Sequence, residues 1–270
     1  MRKGVKARPH DVAEIMEIFK PEVVEIHASS EDLDKKIEGK HDAILVVHFP
    51  EYQGTELIDA SSVDEAARLR AQKFYARALT VTREWGAHFR GLPKAIMHPG
   101  GWSNEPVKPW EKQFLYNNLK KTMTELNASG VDLMVENMPP QPWFYGGQWH
   151  CNIMLDPVEC RDYCIGNGWG FCLDLCHAFL YCNFIKEVTI HEFMRKVRPI
   201  IGHMHISDAR GVDGEGLQIG EGEMPLKEIL EYIAPLNVPL VPEIWLGHRD
   251  GFAGFKTAWE RIESLLPVAV

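Results

Sequence analysis

Several apolar runs in this sequence end on a residue able to bind a metal ion or move a proton. They are His48 in VVHFP, His98 in IMHPGG, Glu136 in MVENMPP, Asp174 with His177 in FCLDLCHA, His205 in HMHISD and Glu243 in VPEIW. Successive members lie 31 to 50 residues apart, about the length of a strand, a helix and their loops. Taken singly, a histidine at a strand end is an ordinary structural residue and a carboxylate there an ordinary helix cap. Six consecutive runs ending this way imply one shared pocket. Carboxylates crowded into a pocket repel one another, and burial raises their pKa values, unless a cation neutralises them. A divalent ion is the simplest resolution. Three carboxylates with imidazole form a set suited to Mn²⁺, Mg²⁺ or Co²⁺, with Zn²⁺ admissible as more histidines join.

One ion held between two glutamates can chelate adjacent oxygens of a hydroxy-ketone, acidify the C–H between them and stabilise an enediolate. Glu136 and Glu243 are then the general acid and base. Proton return on the opposite face gives epimerisation, and return to the neighbouring carbon gives aldose–ketose isomerisation.

For these side chains to meet, the runs must be neighbouring strands with their ends on one side. Eight are read: Val5–Arg8, Val23–Ala28, Ala43–Phe49, Lys94–His98, Asp132–Asn137, Gly170–Asp174, Ile201–Ser207 and Pro239–Trp245. Helical patterns separate them at Asp11–Phe19, Val63–Trp85, Trp110–Asn127, Pro157–Asn167, Ile190–Arg198 and Pro225–Ile233, and a last one covers Ala253–Leu266. The connection from Ser30 to Lys40 is short and weakly helical. Strands alternating with helices imply a parallel sheet, and eight such units make a closed (β/α)8 barrel whose mouth gathers the strand ends. An open doubly wound sheet would show a glycine-rich turn after its first strand, and none follows Val5–Arg8.

The 270 residues would allow two domains by length, but no linker divides them, so residues 1–270 are read as one barrel domain. Lys and Arg number 29 against 38 Asp and Glu, a net charge of −9. That sign disfavours nucleic acid and anionic membranes as partners. A small-molecule substrate is expected, with a homo-oligomer compatible. The basic N-terminal residues precede Asp11 and Glu14 rather than an apolar stretch, and no apolar run reaches bilayer length, so a cytoplasmic protein is expected. The six cysteines, from Cys151 to Cys182, form no CxxC pair and read as reduced, buried thiols.

The set HPG, ENMP, LDLCHA, HMHISD, the GEG turn at Gly220–Gly222 and the final PEI strand resembles the xylose isomerase-like barrel superfamily of sugar isomerases, sugar epimerases and endonuclease IV. The resemblance runs from about His48 to about Trp245. It implies a core metal site of Glu136, Asp174, His205 and Glu243. It implies substrate contacts for His177 and Arg210; members with several metals use the histidines matching His48, His98 and His177 as ligands, but here the three are expected to face the pocket mainly as hydrogen-bond partners of substrate or water. The endonuclease pattern also places an Asp-x-His four residues before the GEG turn. This sequence has Gly214-Glu215-Gly216 there. That departure favours one ion and a sugar, or sugar phosphate, isomerase or epimerase, although Asp213 or Glu215 could substitute. An endonuclease IV-like phosphodiesterase and a non-catalytic sugar-binding barrel remain the alternatives. Hydride-shift members use two metals and a lysine. No lysine is read at a strand C-terminus here, which favours proton transfer.

Around this core, Trp143, Phe144, Tyr145, Trp149 and His150 are candidates to wall a sugar face. Glu25 and His27 share one face of the second strand and can point into the mouth. His248 and Arg249 follow the last strand, where barrels often hold phosphate. His203, two residues before His205, reads as a deeper supporting histidine.

Overall fold

In the computed structural model, which describes residues 1–144 and 146–266, eight parallel strands close into a barrel. The strands are β1 (Arg2–Ala7), β2 (Val23–His27), β3 (Ile44–His48), β4 (Lys94–Met97), β5 (Asp132–Glu136), β6 (Gly170–Asp174), β7 (Ile201–Ile206) and β8 (Pro239–Pro242). Each pairs with its sequence neighbours, and β1 closes the ring against β8 through Arg2 with Pro239 and Lys3 with Leu240.

The helices are α1 (Val12–Phe19), α2 (Glu65–Gly86), α3 (Pro109–Glu125), α4 (Pro157–Asn167), α5 (Leu175–Ile185), α6 (Ile190–Val197), α7 (Leu226–Ile233) and α8 (Arg249–Leu265). Asp64 and Asp156 start α2 and α4 by accepting two backbone N–H groups each, and Thr189 with Glu192 forms a reciprocal cap on α6. The second connection holds only a short turn at Asp32–Asp34, as its weak pattern suggested. Asp250, Gly251 and Phe252 adopt left-handed conformations inside α8, so its regular part begins near Ala253, where the sequence placed it.

Strand side chains alternate between the helix layer and the barrel interior. The outward set joins the helices in one large core that includes Val5, Val24, Ile26, Leu45, Val47 and Val135. Inside the barrel, Val23, Val46, Ile96, Met134 and Cys172 form a separate buried plug. Gly170 leaves room for it, since a Cβ there would lie 2.6 Å from the Met134 side chain. Two residues further along each of these five strands, the same inward face carries an ionisable residue, Glu25, His48, His98, Glu136 or Asp174. All six cysteines are free and buried. Among the described residues, no helix is long and apolar enough to cross a membrane.

Candidate metal centre and cavity

Glu136 is the last residue of β5 and Asp174 the last of β6, His205 lies next to the end of β7, and Glu243 follows β8 directly. One ligand atom from each of the four lies within 4.8 Å of every other, the grouping expected of residues that share an ion. His205 Nδ1 is 3.0 Å from Glu136 Oε1, 3.0 Å from Glu243 Oε2 and 3.8 Å from Asp174 Oδ2. Glu243 Oε2 is buried without a hydrogen-bond partner among the described residues. Three carboxylates, one imidazole nitrogen and an orphaned oxygen aimed at one point fit a hard or borderline divalent ion.

Local hydrogen bonds hold these donors. Asp174 spends Oδ1 on the backbone N–H of His177 at the start of α5, 2.6 Å away, which leaves Oδ2 for the centre. Asn137 clamps β5 to β6, accepting from the Asp174 N–H at 2.8 Å and donating to its carbonyl at 2.9 Å. Glu25 on β2 lies beneath. Its Oε2 accepts from His203 Nε2 at 2.7 Å and from His205 Nε2 at 2.9 Å. A carboxylate behind a ligating histidine fixes which ring nitrogen faces the ion and raises its basicity. Glu25→Gln is therefore expected to weaken Mn²⁺ binding by about 10–100-fold with all four ligands retained. Titration calorimetry measures this, and unchanged affinity would remove Glu25 from the support of the centre.

Charge is distributed unevenly. Burial favours neutral carboxyls, yet His205 holds Glu136 well below the usual range, and Lys6, followed by His205, does the same for Glu243. Burial raises Asp174 to about 6, helped by Glu136 and Glu243 and opposed by His177. Burial disfavours a charge on His205, but Glu25, Glu136 and Glu243 raise its pKa well above the ordinary value. His177 is likewise raised to about 10 against its burial, by Asp174, Glu215 and Glu136.

The centre forms the floor of a cavity of about 330 Å³. His98, His177, Glu51, Met138, Trp143, Phe144, Glu215, Trp245 and Leu246 are among its walls. His48 lies beside it, buried, with Nδ1–H donating to the Phe49 carbonyl and Nε2 3.1 Å from Glu136 Oε2. His98 Nε2 is 3.5 Å from the same oxygen, so His48, His98 and Glu136 make a second group of metal-binding character. His177 donates from Nδ1 to the Asn137 carbonyl and turns Nε2 toward Glu215.

Arg210 is not brought to the cavity. Its side chain is 63% exposed and donates to the Glu221 carbonyl, so the substrate contact expected of it is not what this conformation presents. Trp143, Phe144, His27 and His248 line the cavity, whereas Trp149, His150 and Arg249 do not, and Tyr145 lies outside the described residues. Of the two acidic substitutes, Glu215 reaches the mouth. Asp213 instead accepts from Trp143 Nε1 and Gln148 Nε2.

Among the described residues, no barrel strand ends on a lysine, but one lysine that the sequence does not single out stands close to such an end. Lys6, next to last in β1, pairs with Glu25 in register and carries its ammonium into the barrel. There it forms an ion pair with Glu243 Oε1 and lies 3.3 Å from Glu25 Oε1. Barrel closure brings β1 between β2 and β8, so a residue that reads as part of an ordinary alternating strand becomes interior.

Gly216 explains part of the departure from the endonuclease pattern. It has a φ of 71°, and a Cβ there would lie 2.0 Å from Trp245 Cδ1. The backbone N–H of Trp245 also donates to the Gly216 carbonyl at 2.9 Å, and its indole is seated where a side chain at 216 would project. The GEG turn is itself held by Asp208, which accepts from the N–H groups of Ala209, Gly220, Gly222 and Met224. That part of the motif is architectural.

No curated protein matches the chain. Among solved structures, it is similar to a D-tagatose 3-epimerase-like protein, with 20% identity, 98% of each chain covered and a TM-score of 0.68. It is also similar to the IOLI protein with a binding zinc atom (13%, 98% of each chain, 0.68). Endonuclease IV from Thermus thermophilus is similar at 13% identity, over 98% of this chain and 100% of that one, with a TM-score of 0.63. At these identities the likeness is one of fold. The family model described as xylose isomerase-like TIM barrel matches residues 13–265, and the chain belongs to that family.

Proposed function

We propose that this barrel is a divalent-metal-dependent isomerase or epimerase of a small sugar or sugar phosphate, working by proton transfer through an enediolate. The observation that carries the reading is the convergence of Glu136, Asp174, His205 and Glu243 on the floor of a cavity of about 330 Å³, within the size range of small-molecule sites. An ion bound by these four residues would supply Lewis-acid polarisation of a carbonyl.

The chain's own groups do the rest. Glu136 and Glu243 are both ionised beside the same point, so one carboxylate can take a proton from carbon while the other returns it. Asp174, with one oxygen fixed by the His177 N–H, serves as a ligand rather than a base. His98 and His177 stand at the wall to hydrogen-bond substrate oxygens, with buried His48 behind them at Glu136. Trp143, Phe144 and Trp245 present apolar faces that suit the C–H face of a sugar and limit water. Lys6 is engaged by Glu243 and Glu25, so it does not stand free as the lysine of a hydride-shift enzyme.

The test is hydrogen exchange. Protein loaded with Mn²⁺ is expected to wash solvent deuterium into at least one member of a ketose panel, followed by NMR, and a chelator is expected to stop it. The group of His48, His98 and Glu136 favours a second reading, a phosphodiesterase with two ions. Anomalous scattering that shows two ions about 3.5–4 Å apart, with no exchange in any ketose, would move the assignment there.

A further inference from the structure

Resting on the isomerase reading, we propose that the substrate carries an anionic group, a phosphate or a carboxylate, at the end remote from the centre, and that Arg8 with His248 binds it. The cavity is electrically two-sided. Its acids, Glu51, Glu136, Asp174, Glu215 and Glu243, come from the ends of β5, β6 and β8 and from two loops, whereas both Lys and Arg side chains among its described lining residues, Lys6 and Arg8, belong to β1 or follow it.

These two cations differ in how fully they are engaged. Lys6 is deep and consumed by Glu243 and Glu25. Arg8 stands two residues further on, on the same face of the strand and nearer the rim. One guanidinium nitrogen, Nη1, donates to the His27 carbonyl, and its nearest carboxylate, Asp32, is 3.8 Å away. Asp32 already has Lys35 at 2.7 Å and the Ser29 N–H at 2.9 Å. Asp11 is occupied by the Arg8 backbone N–H and by His10. Among the described residues, the remaining guanidinium donors have no hydrogen-bond partner.

His248, from the segment after β8, lines the cavity beside Arg8, and the two also border an adjoining hollow. A forked guanidinium with unused donors, anchored by one bond and flanked by an imidazole, suits the paired oxygens of phosphate or carboxylate.

The experiment compares erythritol, erythronate and erythritol 4-phosphate by titration calorimetry, on metal-free and Mn²⁺-loaded full-length protein. The expected result is binding of one anionic probe at least tenfold tighter than erythritol in both states. A preference for erythritol 4-phosphate assigns phosphate, and one for erythronate assigns carboxylate. Arg8→Gln is expected to remove the preference, and Arg8→Lys to restore part of it. His248→Gln, which leaves β1 untouched, is expected to reduce it as well. Equal binding of all three probes overturns the proposal, as does a preference seen only with Mn²⁺, where the anion would sit on the ion, or one that survives both Arg8→Gln and His248→Gln, where it would sit elsewhere in the cavity. Deuterium exchange reports separately on the isomerase reading, so an anion preference without exchange would leave the subsite standing and remove the reaction.

Discussion

Glu136→Gln is expected to lower the rate of solvent-deuterium incorporation into a ketose by about 10²–10⁴-fold, the usual contribution of a positioned acid or base. The substitution keeps the shape of the side chain and hydrogen-bonding atoms within reach of His48 and His205, which now lie 3.1 and 3.0 Å from its two oxygens. It removes the charge and the basicity. Glu136 belongs to the four-residue centre and also to the group with His48 and His98, so metal content must be measured in the same sample. Glu243→Gln is expected to have a comparable effect with a different accompaniment, since Lys6 and His205 would each lose a charged partner. Exchange at the wild-type rate with the ion still bound would remove either residue from the acid–base pair.

Mn²⁺ affinity is expected to rise about tenfold per pH unit around neutrality, with the slope approaching about a hundredfold per unit once the pH is well below 6. The sign follows from the protons that the ion must displace. His205 has its pKa raised well above the ordinary value, so the metal-free protein keeps that imidazole charged through neutrality and binding releases one proton. Asp174, raised to about 6, is ionised above that pH and protonated below it, which adds a second proton on the acid side. Calorimetry in buffers of different ionisation enthalpy counts the released protons. Affinity independent of pH between 6 and 8 would show that His205 does not give up a proton to the ion.

Much of this site was legible because a strand ending on a polar residue leaves a local trace. Glu136 and Asp174 close their strands as the sequence indicated, and α4 spans Pro157–Asn167 as read, because Asp156 caps it and Gly168 stops it in a left-handed conformation. What escaped had no local trace. Helix α5 follows Asp174 with no loop, and its residues LCHAFLYCNFI are apolar nearly all round, so no amphipathic period sets them apart from the strand before them. The interior role of Lys6 depends on which strands flank β1, a property of closure rather than of any segment. Arg210 was placed by motif alone, and the motif carried no information on which way its side chain turns.

The seat of Trp245 on Gly216 constrains the order in which this barrel could change its chemistry. An imidazole at position 216 would begin with a Cβ 2.0 Å from the indole, and a carboxylate at 214 with a Cβ 2.7 Å from the Arg210 carbonyl oxygen. Neither change is tolerable alone. Replacement of Trp245 by a smaller residue relieves only the first clash, and it removes an apolar wall of the cavity before any new ligand has appeared. Residues in contact combine non-additively, so a path that introduces ligands at 214 and 216 one at a time begins with a strained sequence. The bulk of Trp245 and the carbonyl of Arg210 therefore act together against drift toward that multi-metal ligand set.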